Sequence, residues 1–140
     1  MSQTNGAIKD ILEAIYTGGA YTVEQDFQLH DTDLEDFTKF PLLSIEDGPQ
    51  EDEPQANKVV ERSYHPQLIL YVESASATLS SDMDAHRESI ENAFYGSLSL
   101  NQATYYRSID LITPSEEEDR KLQILTFDLT LNYDIHYTLT

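Results

Sequence analysis

Polar and apolar residues alternate without a break over the last stretch of the chain. Leu125, Phe127, Leu129, Leu131, Tyr133, Ile135, Tyr137 and Leu139 are large and apolar. The positions between them, Thr126, Asp128, Thr130, Asn132, Asp134, His136 and Thr138, are polar. A period of two is the signature of a β-strand with one buried face and one solvent face. At roughly 3.3 Å per residue this strand reaches about 50 Å, whereas ordinary strands hold about five or six residues. A small domain cannot easily cover that length, so the end is expected to fold back, or to project and pair with something else. Leu122 and Ile124 stand out of phase with Leu125 and its successors, which predicts a bulge or bend near Ile124-Leu125.

The remaining pattern supplies shorter elements. Ile8, Ile11, Leu12 and Ile15 recur at helical spacing, with Thr4 or Asn5 as cap and Gly18-Gly19 as stop. Tyr21 to Leu29 reads as extended, and Leu34, Phe37 and Phe40 lie on an acidic connector. Pro41 turns Phe40 away from the helical region, so Pro41 to Glu46 opens a short strand. Gly48 to Asn57 holds two prolines, consecutive acids and no bulky apolar residue, which predicts an exposed loop. In Val59 to Ser74, Leu68, Leu70 and Val72 take one face and Ile69 and Tyr71 the other. That predicts a central strand covered on both sides, with Pro66 marking an edge or bulge at its start. A helix over Asp82 to Tyr95 buries Met83, the Arg87 stem, Ile90, Ala93 and Phe94, capped by Ser80 or Ser81 and ended by Gly96. Ala103 to Ile112 is a strand with Tyr105, Ile109 and Leu111 in phase, and Thr113 to Asp119 is a charged turn. The expected class is α+β in a single domain: a mainly antiparallel sheet of about four to five strands flanked by two helices, closing on a very long C-terminal strand.

Composition narrows the function classes. The chain has 140 residues, enough to bury roughly two-thirds of its unfolded surface. No apolar run suits a membrane span, and the first apolar turn carries Lys9, Asp10 and Glu13, unlike a secretory signal, so the expected location is the cytoplasm. Cysteine is absent, which removes disulfides and thiolate chemistry. Acids outnumber bases 26 to 8, for a net charge of −18. Such a field repels nucleic acid and anionic membranes. It suits a basic partner, a surface that must not adhere to DNA, a DNA mimic, or solubility alone.

Candidate chemistry is sparse. There is no glycine-rich phosphate loop, GxSxG or HExxH. His30, His65, His86 and His136 are scattered, and the Asp134/His136 pair on one strand face is explained by a wet sheet. Asp128 and Asp134 share a face about 20 Å apart, too far for a glycosidase pair. The runs Glu51-Asp52-Glu53 and Glu116-Glu117-Glu118-Asp119 lack the spacing of a calcium loop and read as solvated acidic loops. The nine tyrosines have acidic neighbours, unlike a base-stacking platform. Neither an enzyme nor a cofactor or metal is expected.

The order of these elements resembles the tail terminator (tail completion, tail-to-head joining) proteins of long-tailed bacteriophages. The likeness runs from the helix Ala7 to Tyr16, through Phe40-Pro41-Leu42-Leu43-Ser44-Ile45, a variable polar loop, the strand Pro66 to Glu73, the helix Asp82 to Tyr95 and the strand Tyr105 to Ile112. It closes on the long strand ending Leu129 to Tyr137. Tyr21 to Asp36 has no counterpart in that pattern. The resemblance implies a virion protein, assembled in the host cytoplasm, that forms a homo-oligomeric ring, usually a hexamer. The ring caps the tail tube, stops tube polymerisation and presents a joining surface to head-completion or neck proteins, while DNA passes through its lumen without specific binding. Tyr133, Ile135, Tyr137 and Leu139 are then expected to contact a neighbouring subunit or the tube, and the acidic loops with Glu51, Asp52, Glu53, Glu116, Glu117, Glu118 and Asp119 to face partners or the channel. A head–tail connector or neck protein is the nearest alternative. An acidic DNA-mimic inhibitor is the alternative from another class.

Overall fold

A computed structural model describes residues 3–27, 40–56, 58–73, 79–117 and 121–137. In chain order these residues form α1 (Asn5–Tyr16), β1 (Thr22–Gln25), β2 (Leu42–Glu46), β3 (Gln50–Ala56), β4 (Val59–Tyr64) and β5 (Gln67–Glu73). There follow α2 (Leu79–Gly96), α3 (Leu98–Ala103), β6 (Tyr106–Glu117) and β7 (Leu122–His136). The mixed α/β class agrees with the sequence, but the described residues hold seven strands and three helices, more than the pattern predicts.

One extra strand comes from a break that divides Val59 to Glu73 into β4 and β5, and another is β3. β2 and β3 lie end to end, as do β5 and β4, and the two lines pair antiparallel from Leu42↔Tyr71 to Ala56↔Val59. Both lines break at the same level, at residues 47–49 and 65–66, where the Gly48 backbone presses on His65. β7 then pairs with β5 and β4 along one side and with β6 along the other, while β1 adds a parallel edge to β2. The long strand is thus flanked within its own chain as far as Asn132 on the β6 side and His136 on the β4 side.

All three helices pack on one face. Thr4 caps α1, accepting from the Ala7 N–H at 3.0 Å. Ile8, Leu12 and Tyr16 of α1, Ile90 and Phe94 of α2 and Leu100 of α3 meet the odd residues Leu125 to Ile135 of β7. The Tyr16 hydroxyl donates to the Ile90 carbonyl at 2.9 Å, tying α1 to α2. Arg87, expected to bury its stem, is exposed and forms an i,i+4 pair with Glu91. On the opposite face a smaller cluster, Leu42, Tyr71 and Leu122 with Phe27, Phe40, Ile69 and Ile124, covers the start of β7.

That second cluster corrects the expected bulge near Ile124-Leu125. The β5–β7 register is unbroken from Gln67↔Asp128 to Glu73↔Leu122, because both faces are buried there and either phase can be apolar. The bulge lies instead in β6, between Ile109 and Leu111. It turns Leu111 out to 58% exposure and brings Ile112 against the core, so Tyr105, Ile109 and Leu111 do not share a buried face. The expected loop Gly48 to Asn57 is largely strand β3. Its polar composition reflects an edge strand facing solvent rather than a loop. The expected turn from Thr113 is likewise strand as far as Glu117. The connector residues Leu34 and Phe37 lie outside the described residues.

Candidate functional site

β7 alternates between the two layers, and its even side chains point to the face the helices leave open. Pairing carries that face across β4 and β3. Glu53 stands directly opposite Glu61, and Glu61 directly opposite Asp134, so three carboxylates form one lateral row. Adjacent strands are about 4.8 Å apart, and like charges directly opposed on a sheet repel. The Tyr105 phenol borders the same row. Desolvation first, then its interaction with Glu61 and the charges of Glu61, Asp134 and Glu53, push it up to about 12.

The row ends at a cleft. β6 stops pairing at Tyr106↔Asn132, and beyond it a cavity of about 400 Å³ opens between β7 and the end of α3. Its walls include Asn101, Gln102, Thr104, Tyr105, Tyr133 and Asp134. Tyr105 and Tyr106 are 56% and 51% exposed. A second cavity of about 340 Å³ lies at the sheet break, with Asp47, His65, Asp110 and Asp128 in its wall. Its carboxylates accept from neutral donors: Asp47 from Tyr64, Asp110 from Ser108 and Thr130, and Asp128 from Gln67 at 2.7 Å. A third, of about 350 Å³, separates the first turns of α2 from β6 and β7. Among the described residues, no group of three or more His, Asp or Glu is arranged to hold a metal ion, and no helix is long and apolar enough to cross a membrane.

The residues singled out from sequence fall in different places. Tyr133 and Ile135, expected at an interface, are 2% and 5% exposed and belong to the chain's own core. The Tyr133 hydroxyl donates to Asn5 of α1, and the Arg62 guanidinium lies 6.0 Å from its ring centre. Their burial follows from α1 and β4 covering the end of β7. Tyr137 is exposed, its N–H donating to the Lys58 carbonyl at 2.7 Å, and Leu139 lies outside the described residues. The run Glu51-Asp52-Glu53 is divided by strand alternation. Glu51 and Glu53 take the open face, whereas Asp52 pairs with Arg62 on the helix side at 2.8 and 2.9 Å. That guanidinium holds the Asp52 carboxyl below the usual range. Glu116 and Glu117 sit at the opposite end of β7, and Glu116 accepts from Gln123 at 2.8 Å. Glu118 and Asp119 lie outside the described residues. The two acid runs therefore do not converge, being about 35 Å apart along the strand direction.

Glu61 and Tyr105 are the site residues that sequence reasoning missed. The alternation of Val60, Arg62 and Tyr64 against Glu61 and Ser63 carries a weak signal. The opposition of Glu61 to both Glu53 and Asp134 needs a register that one strand does not contain. The chain matches no known protein family and no curated protein.

Proposed function

We propose that the protein is a structural subunit that closes into a ring of identical copies and, as in the tail terminators it resembles, caps a phage tail tube. The observation that carries this reading is β7. Fifteen residues long, it organises the sheet and follows the succession of helix, hairpin, helix and penultimate strand that underlies the resemblance. Large exposed apolar side chains supply contact surface: Leu98 at 68%, Leu111 at 58%, Tyr137 at 52% and Tyr95 at 46%. Of the expected contact residues Tyr137 keeps that role and Leu98 joins it, whereas Tyr133 and Ile135 drop out, since buried side chains have no area to offer a neighbour. Identical copies joined head to tail by such a surface close into a cyclic ring. The net charge of −18 keeps duplex DNA from adhering as it passes, and leaves tube protein and head-completion proteins as the partners of the two ring faces.

Light scattering on the full chain, alone and with tube protein, tests this. The expected species is a ring of about six copies of the 15.9 kDa chain. A Leu98→Asp, Tyr137→Asp double variant is expected to stay folded by circular dichroism and to run as a monomer. A monomer at every concentration, with and without tube protein, would overturn the reading.

A further inference from the structure

Among the described residues, the outward edges of the sheet are interrupted at several positions. Hydrogen bonds fix which way each strand points. The Leu129 N–H donates to Pro66 at 3.1 Å and the Tyr137 N–H to Lys58 at 2.7 Å, so odd β7 residues face β5 and β4. Alternation then turns even β7 residues towards β6, as the Tyr105 N–H donating to the Asn132 carbonyl at 3.0 Å requires. Carried outward through the registers, the same parity puts Pro54 at an outward position on β3 and Pro114 at one on β6. Neither has an N–H to offer an incoming strand. The outward Ile109 N–H of β6 is taken by the Tyr95 hydroxyl at 2.8 Å. At the far edge, β1 has only four residues, and its Gln25 is tied to Asp10 and Glu13 of α1.

Asp134, near the end of β7, carries no such block. Past Asn132, the Asp134 N–H and carbonyl face the cleft beside α3, where no described strand pairs with them. On the open face, Asp134 is also the last member of the row Glu53, Glu61, Asp134. A strand laid in the cleft would place one side chain directly across from Asp134, as a fourth member of that row. A carboxylate there adds repulsion, whereas an ammonium or guanidinium relieves it. Tyr105 and Tyr106 border the same strip with exposed rings that favour a cation.

We propose that this end of β7 accepts an extended segment of a partner protein as an added strand, with a lysine or arginine opposite Asp134. The backbone supplies the pairing and the carboxylate row selects the charge, which is the division of labour in β-strand addition. This inference does not depend on ring formation, because the cleft and the row belong to one protomer.

The test uses the full chain and two labelled peptides, one alternating lysine with valine and one alternating glutamate with valine, read by fluorescence anisotropy. The lysine peptide is expected to bind, more weakly as salt is raised, and to slow hydrogen exchange at the Asp134 amide. The glutamate peptide is expected not to bind. Asp134→Pro removes the outward N–H, which Pro54 and Pro114 also lack, together with the carboxylate, whereas Asp134→Lys reverses the charge and keeps the N–H. Each is expected to weaken binding at least about tenfold, while Glu116→Lys at the far corner leaves it unchanged. Absence of binding, equal binding of the two peptides, or equal loss in Glu116→Lys would overturn the proposal. So would self-association abolished by Asp134→Pro, which would make a second copy the occupant.

Discussion

Gly48 sits where two strand lines break together, and its backbone is pressed against His65. A Cβ built there would lie 1.8 Å from the His65 carbonyl oxygen and 2.7 Å from its carbon. The neighbour is backbone held by the His65 N–H to Pro49 carbonyl bond of 2.9 Å, so it cannot swing aside. Gly48→Ala is therefore expected to cost roughly 1–3 kcal/mol, read as a lower urea midpoint at unchanged slope. The same break is braced by a polar relay. Lys9, buried on α1, meets Asp26 at 2.6 Å; Asp26 accepts from the Asp47 N–H at 3.0 Å; and Asp47 accepts from the Tyr64 hydroxyl. Asp26 has φ of 55°, a left-handed conformation that aspartate tolerates better than most residues. The relay joins α1, β1 and both broken strand lines.

At the scale of elements, the edges show how a sheet built on a fifteen-residue strand avoids indiscriminate pairing. β6 is long and flanked on one side only, the geometry that invites aggregation. Its bulge at Asp110, its outward Pro114 and the Tyr95 hydroxyl on the Ile109 N–H all interrupt the row that a stray strand would need. Pro114→Val restores a donor at a position outside the β7 ladder. It is expected to leave the unfolding midpoint nearly unchanged while shortening the lag before turbidity develops on incubation. An unchanged lag would show that the bulge and Tyr95 suffice without the proline.

At the scale of the whole molecule, charge sets how stability responds to solution conditions. With a net charge of −18 the folded state repels itself, so the urea midpoint at neutral pH is expected to rise with added sodium chloride. Acid acts in two opposed ways. Protonating unpaired carboxylates relieves the repulsion. Asp26 and Asp52, however, are held below the usual 3.8, chiefly by their hydrogen bonds to Lys9 and Arg62. For a depressed folded value the unfolded chain binds more protons, so their contribution is complete above 3.8 and is lost as pH falls through the folded values. Stability is therefore expected to hold or rise from neutral pH towards about 5 and to fall below about 4. Asp26→Asn with Asp52→Asn is expected to flatten that acid limb.

Local pattern determined much of this protein because period and capping are local properties. Alternation from Leu125 onward names the strand and its buried face, the spacing of Ile8, Ile11, Leu12 and Ile15 names α1, and Thr4 caps it. The two-sided burial of Leu68 to Val72 was equally legible, since a central strand is apolar in both phases. Tertiary structure decided what depends on neighbours. β3 is a strand because β4 pairs with it, although no bulky apolar residue marks it. Leu122 and Ile124 need no bulge because Phe27 and Phe40 join the cluster that covers their face. Tyr133 and Ile135 are core because α1 and β4 cover the end of β7. The row Glu53, Glu61, Asp134 exists only through register: three carboxylates far apart in sequence become neighbours when their strands align, and no single strand contains that alignment.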